Sequence, residues 1–345
     1  MKKSVNVGDL VIGGNAPITV QSMTTTDTRD VKSTIAQIKQ LEDIGCDIVR
    51  VAVLDFDACN AISQIKKEIK IPLVCDIHFD YRLAIESIKN GADKIRINPG
   101  NIGSIDRVKK VVAVAKEHNI PIRIGVNSGS LRKDLLEKYN GPTKEAMVEG
   151  AISNIKILED LDFDDIVISL KSSDVIKTID AYTLMNETSN YPLHVGVTEA
   201  GTKWLGTIKS SIGIGSLLAK GIGDTIRVSL TSDPTEEVRT GIEILKALGL
   251  RKQGIKFISC PTCGRCQINL IEIANKVQEQ LANVDKNITV AIMGCAVNGP
   301  GEAKEADIGI AGGKNEALLF KKGEIIRKIP EHLIIQELLE EIKKM

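Results

Sequence analysis

Four of the chain's seven cysteines fall between residues 260 and 302. Three stand as Cys260-Pro261-Thr262-Cys263-Gly264-Arg265-Cys266, and the fourth is Cys295. A CxxC pair sets two thiolates within reach of one metal, and further thiolates complete the site. Spacing leaves two metals open. One is zinc on Cys260, Cys263, Cys266 and Cys295; the other is an iron–sulfur cluster on three or four of the same residues. The CxxCxxC run matches the opening of bacterial ferredoxin motifs, although here proline follows the first cysteine. Seven is an odd number, and the clustering is not that of a disulfide framework. Cys46, Cys59 and Cys75 lie within core elements and read as small buried apolar residues. After Cys295 comes Asn298-Gly299-Pro300-Gly301-Glu302, which by itself reads as a tight turn carrying one acidic side chain.

A second set of chemically active residues is spread upstream, one or two to a strand. Arg50, Asp76, His78, Arg96, Asn98, Arg123, Asn127, Lys171, Glu199, Arg227 and Ser229 all fall on polar positions that alternate with apolar ones. Arg50, Arg96, Arg123, Lys171 and Arg227 are five cations, and Asp76 and Glu199 are the acids of the set. Internal ion pairing is the bland alternative, but two acids cannot neutralise five cations, and unpaired buried charge is costly. An anionic ligand with phosphate-like oxygens resolves the imbalance, because guanidinium forks match phosphate bidentately. Asp76 and His78 share a strand face. Glu199 stands at a strand end before a glycine and can serve as an acid/base group or pair with a neighbouring cation. His118, His194 and His332 carry no pattern.

The elements that must position these residues alternate between strand and helix from Pro17 to about Leu248. Strands are predicted at 17–23, 47–53, 73–78, 94–98, 121–127, 165–171, 193–199 and 225–230. Helices are predicted at 31–43, 57–69, 80–90, 103–118, 144–159, 174–187, 206–220 and 235–248. Eight strands each followed by a helix is the count of a (β/α)8 TIM barrel. A doubly wound sheet alternates similarly, but its strands are covered on both faces and read as continuous apolar runs. Here Ile122, Ile124 and Val126 alternate with Arg123, Gly125 and Asn127, which suits a barrel with a polar mouth at the strand C-termini. Two short runs around Gly8-Asp9 predict a hairpin that could plug the barrel base.

A composition shift near 249–254 marks a linker, giving a barrel domain over 1–250 and a small α+β domain over 251–345. In the latter, strands are predicted at 255–259, 288–293 and 307–310, a short hairpin at 318–326, and helices at 267–282 and 331–344. Lys+Arg and Asp+Glu number 45 each, and the zero net charge argues against a nucleic-acid or anionic-membrane binder. Aromatics at 3% disfavour a base-stacking platform. The start of the chain has no apolar run of signal-peptide kind, and no stretch approaches membrane-span length, so the expected location is the cytoplasm.

Taken together, CPTCGRC and GCAVNGPGEA closely resemble the 4-hydroxy-3-methylbut-2-enyl diphosphate synthase family in its two-domain bacterial form. VQSMTTTDT (20–28), DIHFD (76–80), RINPGN (96–101), RIGVNSGSL (123–131) and GVTEAGT (196–202) add to the resemblance, which covers the whole chain. It implies a TIM barrel followed by an α+β iron–sulfur domain similar to the sulfite-reductase-type module. It implies a [4Fe-4S] cluster held by Cys260, Cys263, Cys295 and Glu302, with Cys266 a bystander. A hard, exchangeable carboxylate among soft thiolates leaves one iron open to substrate, whereas a fourth thiolate would close it. The implied reaction is reductive ring opening of 2-C-methyl-D-erythritol 2,4-cyclodiphosphate with loss of water. Its two electrons arrive singly from reduced flavodoxin or ferredoxin. Arg50, Arg96, Arg123, Asn127, Lys171 and Ser229 would hold the ligand, Asp76 and His78 would line its pocket, Glu199 would assist proton delivery, and Asn298 would lie near the cluster. The family further implies a head-to-tail homodimer. Two other classes share part of the pattern. One is a phosphosugar hydrolase or isomerase barrel with a structural zinc; the other is an electron-transfer adaptor with four thiolate ligands.

Overall fold

The computed structural model describes residues 2–98, 102–252, 254–281, 284, 286–296, 301 and 303–345. The chain divides into two compact units, Met1–Arg251 and Lys252–Met345.

The first unit opens with β1 (Ser4–Val7) and β2 (Leu10–Gly13), an antiparallel hairpin. Parallel strands β3 (Thr19–Met23), β4 (Ile48–Val53), β5 (Leu73–Ile77), β6 (Lys94–Ile97), β7 (Ile122–Asn127), β8 (Ile166–Lys171), β9 (His194–Val195) and β10 (Thr225–Ile226) follow. Between and after them come α1 (Val31–Asp43), α2 (Phe56–Glu68), α3 (Tyr81–Lys89), α4 (Ile105–His118), α5 (Lys133–Lys138), α6 (Lys144–Glu159), α7 (Val175–Thr188), α8 (Lys203–Leu218) and α9 (Pro234–Ala247). The strands pair in the order β8-β7-β6-β5-β4-β3-β10-β9. A parallel bridge from Ile168 to Leu193 brings the two ends of that sheet together, so the barrel is nearly closed.

Alternation along the strands sorts side chains between two environments. Val49, Val51, Val53, Ile95, Ile97, Ile122 and Ile124 pack outward in the core beneath the helices. The intervening polar residues face inward. At the base, Val5, Val7 and Ile12 of the hairpin pack on Ile48, Val74 and Val167, sealing the barrel floor with apolar surface.

Aspartates organise both ends. Asp30, Asp55, Asp80, Asp174 and Asp233 each accept a backbone N–H in the first turn of α1, α2, α3, α7 and α9, the N-cap role that fixes where a βα loop becomes a helix. At the opposite end, Asp47, Asp93 and Asp224 precede β4, β6 and β10. They accept the N–H groups of Val20, Leu73 and Leu193 at 2.7 Å each, tying each strand start to its neighbour.

The second unit is a five-stranded sheet in the order β11 (Lys256–Ser259), β12 (Thr289–Met293), β13 (Ile308–Gly313), β14 (Glu316–Lys321), β15 (Glu324–Pro330). The first three strands are parallel and the rest form an antiparallel meander. Helices α10 (Leu270–Leu281) and α11 (Ile334–Lys344) cover one face through Leu270, Ile273, Val277, Ile334 and Leu338. Asp307 repeats the aspartate device on Thr289 N–H at 2.8 Å.

The plug sets a stability prediction. Ile12 is fully buried while its neighbour Val11 is 43% exposed. Ile12→Ala is expected to lower the unfolding free energy by about 3 kcal/mol, and Val11→Ala by less than about 0.5 kcal/mol. Urea unfolding followed by circular dichroism checks the pair.

Candidate active site

Inward-facing positions near the strand C-termini bring Arg50, Asp76, Arg96, Arg123 and Lys171 into the barrel interior, each at most 8% exposed. Asp76 anchors two of them. Its Oδ1 accepts a hydrogen bond from Arg96 Nη1 at 3.1 Å, and its Oδ2 lies 3.6 Å from Arg50 Nε. The same Arg96 Nη1 lies 3.0 Å from His78 Nε2. Arg123 Nη1 crosses to Gln21 Oε1 at 3.2 Å. Arg227, just beyond β10, lies 3.8 Å from Glu237 of α9. Glu237 also accepts from Ser22 Oγ at 3.0 Å and from Leu230 N–H at 2.9 Å.

The electrostatics follow from burial without enough counter-charge. Burial pushes the Asp76 carboxyl up, but Arg50, a hydrogen bond with His78 and Arg96 outweigh it and hold the group far below the usual carboxylate range. Burial pushes Arg50 down to about 9, with Asp76 compensating in part. Arg123 and Lys171 are driven well below their ordinary values, first by burial and then by the neighbouring cations.

A cavity of about 170 Å³ opens at the top of β5, β6 and β7, lined in part by His78, Phe79, Arg96, Asn98, Asn127 and Ser130. Asn98 accepts a hydrogen bond from Asn154 Nδ2 at 3.3 Å. Phe79 is 70% exposed at φ 65°, a left-handed conformation that costs a non-glycine residue energy and concentrates at functional sites. Glu199 shares this conformation at φ 51°. It lies four residues beyond the end of β9, its side chain is exposed, and no ion pair engages it among the described residues. The acid that meets Arg227 is therefore Glu237, which no strand pattern could indicate because it arrives from a helix. Ser229 is half-buried beyond β10, and Asn127 is half-buried at the end of β7.

Two glycines make the arrangement possible. A Cβ on Gly125 would come within 2.6 Å of Arg96 Nε, so the Arg96 guanidinium lies directly across β7. A Cβ on Gly196 would meet the Arg227 carbonyl at 2.4 Å and Lys171 Nζ at 3.2 Å.

Deeper in the barrel stands a polar layer that the sequence reading left out. Lys94 and His194 are fully buried, alongside Thr19, Gln21 and Thr225. The signal was available for Lys94, which lies two residues before Arg96 and so shares its face.

In the second unit the parallel strands β11 and β12 end side by side, with Ser259 in register with Ile292. Cys260 and Cys295 follow those ends. Gly294 N–H donates to Cys260 Sγ at 3.1 Å, and Gln267 N–H to Gly294 O at 3.1 Å, binding the two loops together. Cys263 is exposed, and hydrogen bonds from Arg265 lower its thiol. Cys266 turns toward the apolar core, donating to Ile268 O at 3.3 Å and packing against Gly294. The donors suit a soft metal: three thiols on adjacent loops at one sheet end, with a backbone N–H aimed at sulfur. Among the described residues no three His, Cys, Asp or Glu side chains already stand close enough to enclose an ion. Asn298 and Glu302 lie outside the described residues. Cys46, Cys59 and Cys75 are buried in the barrel unit, and burial pushes the Cys46 thiol up to about 12, as expected of inert core cysteines.

The chain matches the GcpE TIM-barrel domain over residues 2–242 and the GcpE protein C-terminal domain over residues 256–344. It is 65% identical to the 4-hydroxy-3-methylbut-2-en-1-yl diphosphate synthase (flavodoxin) of Ruminiclostridium cellulolyticum, covering 99% of this chain and 97% of that protein. The enzyme of the same name from Clostridium acetobutylicum is 64% identical over 99% of this chain and 98% of its own. Among solved structures, a dihydropteroate synthase from Coxiella burnetii aligns with TM-score 0.51 at 14% identity, over 71% of this chain and 97% of that one. That likeness concerns the fold alone.

The Gly125 contact makes a specific test. Gly125→Ala is expected to weaken binding of inorganic diphosphate by about tenfold or more, because the added methyl displaces the Arg96 guanidinium. Gly129, where a Cβ would meet nothing within 4 Å, serves as control, and Gly129→Ala is expected to leave affinity unchanged. Isothermal titration calorimetry reads both.

Proposed function

The chain belongs to the GcpE family, and on that premise we propose that it is an oxidoreductase opening the ring of 2-C-methyl-D-erythritol 2,4-cyclodiphosphate to give 4-hydroxy-3-methylbut-2-enyl diphosphate. The observation that carries this reading is the uncompensated positive charge of the barrel mouth. Arg50, Arg96, Arg123 and Lys171 are nine-tenths buried around the carboxylate of Asp76, and Glu237 is taken up by Arg227. A diphosphate supplies the missing charge and the acceptor oxygens that guanidinium forks require.

The residues divide the work. Arg50, Arg96 and Arg123 grip phosphate oxygens with paired N–H groups, and Lys171 adds a point charge. Asp76 keeps Arg50 and Arg96 in place, so it acts through them. Asn127, Ser229 and His78 stand at the rim and suit the ligand's hydroxyl groups. Glu199 is exposed at the mouth's edge, where a carboxyl can deliver the proton that turns a departing hydroxyl into water. Enclosure among buried cations keeps water from the charged ligand and strengthens each contact.

Cys260, Cys263 and Cys295, with Glu302 as fourth ligand, would hold a [4Fe-4S] cluster, which supplies the electrons of the reduction one at a time. The Cys266 thiol is already spent on the Ile268 carbonyl, whereas Cys260 Sγ accepts a backbone N–H, which supports leaving Cys266 out of the ligand set. Reduced flavodoxin is the electron donor named for the relatives, and ferredoxin is the chemically equivalent alternative. A head-to-tail homodimer completes the reading. Trp204, Leu205, Ile208 and Ile212 form an exposed apolar stripe on α8, of the kind that a protein partner covers.

The test combines spectroscopy with turnover under anaerobic conditions. The reconstituted protein is expected to show broad visible absorption with iron and sulfide in cluster ratio, and to convert the cyclodiphosphate when reduced flavodoxin is added. Cys260→Ser is expected to abolish the absorption, and Cys266→Ser to retain it. Zinc in place of iron, or loss of the cluster on Cys266→Ser, would overturn the assignment.

A further inference from the structure

Lys94 is the most secluded basic side chain of the barrel. It is 0% exposed, and its Nζ has no hydrogen-bond acceptor among the described residues. The charged groups that act on it are Arg123 on β7, Arg50 on β4 and Asp93 just before its own strand, and Lys94 in turn acts on His194 of β9. Asp93 is already engaged by Lys66 at 2.6 Å, and Asp76, on the adjoining strand β5, by Arg96 and Arg50. His194 is also 0% exposed, with neither ring nitrogen partnered among the described residues. Beneath this layer the hairpin plug is apolar, so counter-charge can arrive only from the mouth.

We infer that Lys94 holds no proton in the ligand-free protein and gains one when the barrel takes up a diphosphate, so that ligand binding is coupled to proton uptake two residues below Arg96. The inference rests on the mouth being the diphosphate site. Burial and the adjacent cations favour the uncharged amine. An anion above it reverses that preference.

The proposed reaction gives the coupling a use. Two electrons from the flavodoxin-class donor and one proton open the dianionic ring. The bond between a ring carbon and a phosphate oxygen breaks, and a hydroxyl leaves as water. The product is a linear diphosphate whose terminal phosphate carries one more negative charge. Lys94 is a positioning residue here: its proton is not consumed, but it matches the charge that appears on the ligand as the ring opens.

Two measurements test this, one of them without ligand. With lysine labelled at Cε, carbon NMR of the ligand-free protein is expected to show a neutral-amine signal at pH 7.5 that disappears in Lys94→Met. A Lys94 signal that stays at the charged position up to pH 10 would overturn the inference whatever the barrel binds. The second is calorimetry with the linear product in buffers of different ionisation enthalpy. Wild type is expected to take up about one proton more than Lys94→Met. Equal uptake in both would also overturn it. Failure to bind any diphosphate would instead count against the function proposed above, leaving the ligand-free measurement to decide on Lys94. Because methionine matches the lysine stem and spares folding the cost of burying an amine and stripping its proton, Lys94→Met is also expected to raise the melting temperature.

Discussion

Four cations, Arg50, Arg96, Arg123 and Lys171, are at least nine-tenths buried inside one barrel, and their mutual repulsion is the constraint on which the rest of that unit depends. Removing such an ion from water costs on the order of several kcal/mol after relaxation. The fold meets that cost by rigid placement. Asp76 holds two guanidiniums, Gln21 a third, and Glu237 meets Arg227. Gly125 and Gly196 open the room these long side chains need. An apolar floor below and a packed helical layer outside leave the mouth as the one direction from which compensating charge can come. A site strained in this way is preorganised for an anion and gives up stability to be so.

The second unit solves a different problem. On the proposed reading its thiols hold a metal; they stand on loops at the ends of two adjacent parallel strands, while the apolar core behind them is built by α10 and α11. Cys266 shows how sharply that boundary runs. Three residues after Cys263, its sulfur already bonds to the backbone carbonyl of Ile268 and packs against the apolar core of the unit. Its hydrogen bond is what sets it apart from Cys260, whose sulfur accepts a backbone N–H instead.

Most of the architecture was legible in the sequence because barrel strands report two environments in alternate residues. The expected β9 and β10 were longer than those observed. Leu193–Glu199 and Thr225–Leu230 keep alternating past the point where the ladder stops, so Gly196, Arg227 and Ser229 still belong to the barrel lining without belonging to a strand. Helix α5 escaped notice because six residues between glycine-containing loops give too short a window for a helical period. The expected hairpin at 318–326 is longer, reaching from Glu316 to Pro330, and turns at Lys322-Gly323, both at positive φ. For the site, charge on strands could be read, whereas Glu237 could not, since its role is set by how α9 packs. Lys94 and His194 were passed over because a residue's depth in the barrel follows from strand stagger, which sequence alone does not display.

The central claim is that the cationic interior of the barrel is a cyclic-diphosphate site. Its most direct test is a crystal structure of the protein with 2-C-methyl-D-erythritol 2,4-cyclodiphosphate bound. The account predicts phosphate oxygens within hydrogen-bonding distance of Arg50, Arg96, Arg123 and Lys171, with Asp76 still holding its two guanidiniums. A ligand bound elsewhere on the chain, with those four cations turned to protein carboxylates instead, would contradict it.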